Sequence, residues 1–259
     1  MSQPTRALSK DEALAELETL QADDLIRLEA GAGPGRVSLD GWDPVSEQAH
    51  DGDVAGVVVR FLSSGSTQAF HPAGGAAPDR LDPRNALALV RLCQWLAETY
   101  GVFELYHLGI SGDTQGAPGS RVDCHGQGRA VDFVGVQALA DDGTTWILTV
   151  QDDWGSAVTE ATPSGTWPAG TGSAVRYRLD DPNADPFIQE FFRELYNFIA
   201  SQWQDRSSGP NGDEEPPTEI GEGSLIMHPD HPTSAPGTKH GREAHTNHIH
   251  MQIGVTGTE

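Results

Sequence analysis

At 259 residues, 37% of them hydrophobic and 7% aromatic, the chain is long enough for one large domain or two small ones, each with a proper core. Its formal charge of −22 repels polyanions, so no nucleic acid and no anionic membrane surface is expected as a partner, and no apolar run reaches the length of a membrane span. The two cysteines, Cys93 and Cys124, make neither a disulfide scaffold nor a Cys-x-x-Cys zinc or redox pair.

The opening, MSQPTRALSKDEALAEL, lacks the charged-then-apolar pattern of a secretory signal, which sets an expectation of synthesis in the cytoplasm and another exit route for any work outside. Ser9 and Glu12 form a capping box that predicts an N-terminal helix carrying Leu14, Leu17, Ile26 and Leu28, with a break near Asp23 and Asp24. A Gly/Pro/Asp-rich stretch to about residue 53 reads as loop, and the β-branched VAGVVVRFL at 54–62 as a strand. Asp82, Pro83 and Gly101 bracket a helix with Leu89, Leu92, Cys93 and Leu96 as its buried stripe.

VFELYHLGIS at 102–111 then predicts a strand running into a glycine-rich loop. GRAVDFVGV, TTWILTVQD and AVRYRL are strand-like, the last two separated by a Thr/Gly/Pro-rich insert at 155–173. Asp185 and Pro186 open a second helix, with Phe187, Phe191, Leu195 and Phe198 as its core stripe. The preceding DDPNADPF lacks the glycine and glutamate of a calcium loop, so capping explains its aspartates. Residues 205–222 have linker composition and read as a mobile surface loop, after which GSLIMHP and NHIHMQIGV are strand-like. This order predicts an α+β fold, an antiparallel sheet flanked by helices. It divides into an N-terminal extension over 1–75, either an adaptor or part of the core, and a domain over 76–259 with an enlarged insert at about 134–186.

Two segments carry chemistry. In GRAVDF, strand alternation sets Val131 and Phe133 on one face and Ala130 and Asp132 on the other, the apolar pair facing the helices. His125 lies just before, in a loop whose Gly126 and Gly128 let it fold back. In NHIHMQI, His248 and His250 share a face while Ile249 and Met251 point away. If the two strands are neighbours, His125, Asp132, His248 and His250 converge. Two imidazoles and a carboxylate hold a zinc ion with its fourth tetrahedral position open, the arrangement of a hydrolytic site. The bland alternative is a set of satisfied core or surface histidines. His228, His231 and His240, in a Pro/Gly-rich loop, could hold a second metal, but solvated side chains are the expectation there. Cys124 is expected to be buried and Arg129 to cover the sheet.

His125-x-x-Gly128-x-Ala130-x-Asp132, followed by His248-x-His250, resembles the signature of the LAS zinc peptidases, which group lysostaphin-type enzymes, D-alanyl-D-alanine peptidases, penicillin-insensitive murein endopeptidases and the hedgehog signalling domain. The resemblance implies the LAS core fold, one Zn2+ ion held by His125, Asp132 and His250, and His248 beside it as transition-state stabiliser or proton carrier. The glutamate bases of the carboxypeptidases and hedgehog domains would fall at Asn247 and Ala244, so that pattern is not kept. The murein endopeptidases place a histidine where this chain has His245, and in this respect the motif is most similar to theirs. Glu243 is a spare base, and Asp113 and Arg121 occupy the loop where related enzymes carry substrate-binding groups.

The resemblance implies a zinc metallopeptidase cutting a peptide bond in peptidoglycan stem peptides, as endopeptidase or carboxypeptidase. The missing glutamate keeps a second expectation open: a catalytically silent, zinc-stabilised binding or assembly domain. Delivery to the wall by a phage lysin's membrane pore or by a phage-tail-like particle, with a particle or tail protein as partner, completes either expectation. General proteolysis fits less well, since no HExxH helix is present.

Overall fold

The computed structural model describes residues 3–30, 35–40, 53–63, 66–69, 81–110, 124–125, 127–154, 156–161, 173–178, 185–203, 226–229, 245 and 247–253. A 3-10 turn at Thr5–Ala7 leads into α1 (Lys10–Ala22). The capping box forms as the sequence predicts: Ser9 Oγ accepts the Glu12 N–H at 3.2 Å, and the Glu12 carboxylate accepts the Ser9 N–H at 2.8 Å. The helix stops before the expected stripe ends, because Asp24 stands at φ 56, left-handed backbone that an α-helix does not pass through. Leu28 therefore lies in β1 (Arg27–Ala30), paired antiparallel with β2 (Val37–Asp40) inside a stretch expected as loop.

The strand expected over 54–62 is a tight hairpin, in which β3 (Asp53–Val54) and β4 (Val57–Ser63) flank Ala55 at φ 51 and Gly56 at φ 82. Two successive positive φ values are the requirement of a type I′ turn, and Gly56 meets it without steric cost. β4 also pairs with β5 (Ser66–Ala69). α2 (Pro83–Tyr100) follows, with Asp82 accepting the Arg84 N–H, Pro83 in the first turn and Gly101 at φ 65 closing it. Its predicted stripe is buried, and so is every residue from Pro83 to Val90.

The chain continues through β6 (Val102–Ile110), β7 (Ala130–Leu139), β8 (Thr145–Thr149) and the short α3 (Val150–Asp153). A separate two-stranded ribbon of β9 (Ser156–Ala161) and β10 (Ser173–Arg178) precedes α4 (Pro186–Gln202), and β11 (Ile249–Gln252) comes last. The central sheet runs β11-β7-β6-β4-β3, with β5 on β4 and β8 on β7. It is mixed, which corrects the expectation of an antiparallel sheet: β4 and β6 are parallel, because the helix between them returns the chain to the same end. β7 gives one edge to β6 and divides the other, its first half to β11 and its second to β8. Residues 134–139 and 145–149 of the expected insert thus belong to this sheet as β7 and β8, and the linker expected over 205–222 lies outside the described residues.

One hydrophobic core joins these parts. Leu105, Val131, Phe133, Val136, Ile249 and Met251 of the sheet pack with Leu87, Leu89 and Leu92 of α2 and with α4. From the N-terminal region Ala13, Leu17, Val37, Leu39, Val57 and Val59 enter the same core, and Val37 exchanges backbone bonds of 3.0 and 2.9 Å with Leu81. The buried face of α4 is broader than its predicted stripe: Phe192, Tyr196 and Ile199 join Phe191 and Leu195. Phe187 instead stands 46% exposed at the helix start, and Phe198 stacks on Trp95 at 4.7 Å.

Candidate metal centre

Strand alternation places the first two groups. Val131 and Phe133 are fully buried in the core, so Asp132 projects from the other face of β7; Ile249 and Met251 do the same for His250 on β11. The antiparallel register sets His250 directly opposite Asp132. His250 spends its backbone N–H and C=O on Met227, at 2.9 Å each, along the far edge of β11. The His250–Asp132 pair is therefore a non-hydrogen-bonded one, the kind in which facing side chains come closest.

His125 reaches the same point from a loop held on several sides. Gly128, at φ 76, turns the chain so that its N–H meets His125 O at 3.0 Å and the Arg129 N–H meets Cys124 O at 2.8 Å. Gly128 O accepts from Asp82 N at 2.9 Å and from Asn85 Nδ2 at 3.1 Å, tying the loop to the start of α2. Asn85 is itself fixed by Trp203 Nε1, which donates to its Oδ1 at 2.9 Å. Arg36 donates to Gln127 O, so the N-terminal region also buttresses the loop. Cys124 is buried, as expected. Arg129 is buried too, and clamps rather than covers: its guanidinium donates to Ile253 O at 2.6 Å and to Gln127 Oε1, bridging this loop to the end of β11.

Three ligand atoms result. His250 Nδ1 lies 2.8 Å from Asp132 Oδ1, His125 Nε2 lies 3.2 Å from the same oxygen, and the two nitrogens are 3.2 Å apart. A tetrahedral ion with bonds of about 2.0–2.1 Å needs ligand atoms separated by about 3.3 Å, so the triangle is close to zinc size and slightly contracted. Among the described residues no other three such side chains converge this way. Asp132 keeps 19% of its side chain exposed, which leaves the centre open on one side. Burial opposes the charge on Asp132, but the His125 imidazole and the hydrogen bonds from His125 and His250 outweigh it and hold the carboxyl well below the usual carboxylate range.

His248 stands beside this triangle, Nε2 at 3.7 Å from Asp132 Oδ1. Its Nδ1 faces Asn247 Oδ1 at 2.8 Å, so the asparagine serves here to orient an imidazole. Burial pulls the His248 pKa below the ordinary histidine value, more than Asp132 raises it. His245 is buried, its ring centroid 4.8 Å from that of His248 and 5.9 Å from that of His250. Five of the sequence-derived site residues, His125, Asp132, His245, His248 and His250, thus come together. Glu243, Asp113 and Arg121 lie outside the described residues, as do His231 and His240. His228, expected in solvent, is buried instead, stacked at 5.3 Å on Trp154 and edge-on at 5.5 Å to Tyr196.

Two neighbours of the centre escaped the sequence reading. Gly109 pairs with Asp132 across β6 and β7, and a Cβ there would touch Asp132 Oδ2 at 3.5 Å and His125 at 3.7 Å. Its signal was a glycine inside a strand-like run, which marks close approach. Gln252 Oε1 sits 3.0 Å from His250 Nε2; its signal was the two-residue spacing that sets it on His250's face. No known protein family, curated protein or solved structure matches the chain.

Proposed function

We propose that the chain is a zinc metallopeptidase acting on a peptide bond of bacterial peptidoglycan, with His125, Asp132 and His250 as the ligands of one Zn2+ ion. The observation that carries this reading is the 2.8–3.2 Å triangle of His250 Nδ1, Asp132 Oδ1 and His125 Nε2, with two further histidines beside it. Two imidazoles and a single carboxylate oxygen suit zinc, and they leave a coordination position free for chemistry. Zinc bound there supplies Lewis acidity toward a scissile carbonyl and lowers the pKa of water. The substrate class rests on the resemblance to LAS peptidases, within which His245 takes the place of the general base and Asp113 and Arg121 that of substrate-binding groups.

The chain's own residues support the proton steps. His245, packed against His248, takes a proton from the attacking water as general base and returns it to the leaving amine. His248, held at Nδ1 by Asn247 with Nε2 toward the centre, serves beside it as proton carrier or as stabiliser of negative charge on the substrate. A digest of cross-linked peptidoglycan by zinc-loaded protein, with fragments identified by mass spectrometry beside a His250→Ala control, tests the proposal. Fragments from the wild type alone establish the activity and identify the bond. Asn247 at the glutamate position favours one second reading, a silent zinc-stabilised assembly domain; intact peptidoglycan after treatment with protein verified to hold zinc selects it.

A further inference from the structure

The geometry points to Gln252 as the positioning residue that decides which nitrogen of His250 serves the metal, an inference resting on the zinc-site reading above. The two ring nitrogens of His250 face different surroundings. Nδ1 looks into the centre, 2.8 Å from Asp132 Oδ1 and 3.2 Å from His125 Nε2, whereas Nε2 looks along β11 to Gln252 Oε1 at 3.0 Å. A neutral imidazole that gives one nitrogen's lone pair to a metal carries its proton on the other, and that proton needs an acceptor. Without an ion Asp132 Oδ1 competes as acceptor at Nδ1. Once that oxygen and Nδ1 are both given to a metal, the amide carbonyl of Gln252 is the acceptor left for the ring proton, which favours the Nε2–H tautomer and the Nδ1 lone pair for the metal. Strand period makes this possible: Met251 enters the core, and Gln252, opposite Ala130, returns to His250's face. Only 6% of Gln252 is exposed, so bulk water competes poorly for the bond and the ring is held against rotation.

The test compares Zn2+ affinity, measured by competition with a chromophoric chelator, in the full-length wild type, Gln252→Leu and Gln252→Glu. Loss of an outer partner of this kind weakens metal binding about 10- to 100-fold, which is the result expected for leucine. Glutamate keeps an acceptor at the same place and is expected to restore affinity close to the wild type. A folded leucine variant that binds Zn2+ like the wild type overturns the inference. Should that variant fail to fold, long-range 1H–15N correlation spectra of the zinc-loaded wild type decide instead. A proton on His250 Nε2 supports the inference and a proton on Nδ1 overturns it. A wild type that binds no Zn2+ overturns the site reading itself, an outcome distinct from a zinc-binding wild type matched by its leucine variant.

Discussion

One oxygen of Asp132 faces three histidines: Oδ1 lies 2.8 Å from His250, 3.2 Å from His125 and 3.7 Å from His248, while Oδ2 lies on the side of Gly109. Removing that charge removes both a ligand and the group that gathers the imidazoles. Asp132→Asn is therefore expected to lower zinc affinity by more than the roughly 100-fold upper range of outer-shell losses, in the same chelator competition. The carboxylate also links metal-free stability to pH. Its pKa is depressed in the fold, so its contribution is complete above the unfolded-state value of about 3.9 and disappears as pH falls through the folded value. Urea midpoints of metal-stripped protein should then fall as pH drops below about 4, and Asp132→Asn should lack that part of the fall. Asp132 and His250 were legible in the sequence because a period of two separates charged from apolar positions in both segments. The role of Asn247 was not, since an asparagine beside a histidine gives no sign of which atoms meet.

The elements that carry the site depend on contacts few local patterns announce. Asn85 stands in α2 among core residues, yet it joins Gly128 O in the His125 loop to Trp203 after α4. Asn85→Leu leaves two buried polar groups without this partner, expected to cost about 1–3 kcal/mol in urea unfolding and to weaken zinc binding through the displaced loop. At Gly135 an added Cβ would lie 2.3 Å from Leu148 O, where β8 presses on β7. Gly135→Ala is expected to destabilise by about 1–3 kcal/mol in the same assay, with the larger effect on the β7–β8 half of the sheet in hydrogen exchange. A capping box at α1, Asp-Pro starts at α2 and α4, and the glycine after α2 made these helices readable from the chain alone. The β3–β4 turn was missed because Ala55 at positive φ is unusual for a residue with a Cβ, so VAGVVVRFL reads as one β-branched run.

Across the whole molecule the N-terminal region and the metal centre share one core. β4 lies inside the central sheet against β6, Leu17 and Val57 are fully buried, and Arg36 reaches the His125 loop. Deleting residues 1–75 would bare the edge of β6 and open the core. The remainder is expected to lose its near-ultraviolet circular dichroism and its cooperative unfolding. Strand pairing of this kind is set by contacts distant in sequence, which explains why α+β content was legible while the parallel β4–β6 pair was not. Among the described residues no helix is long and apolar enough to cross a membrane.

The chemistry of the site turns on whether the three facing ligand atoms hold an ion. Calorimetric titration of Zn2+ into metal-stripped wild type, His125→Ala and His250→Ala proteins, each verified as folded, measures this. One tight site per chain in the wild type, lost or strongly weakened in both variants, is the expected result. A wild type that takes up no zinc, or variants that bind it as tightly as the wild type, would contradict it.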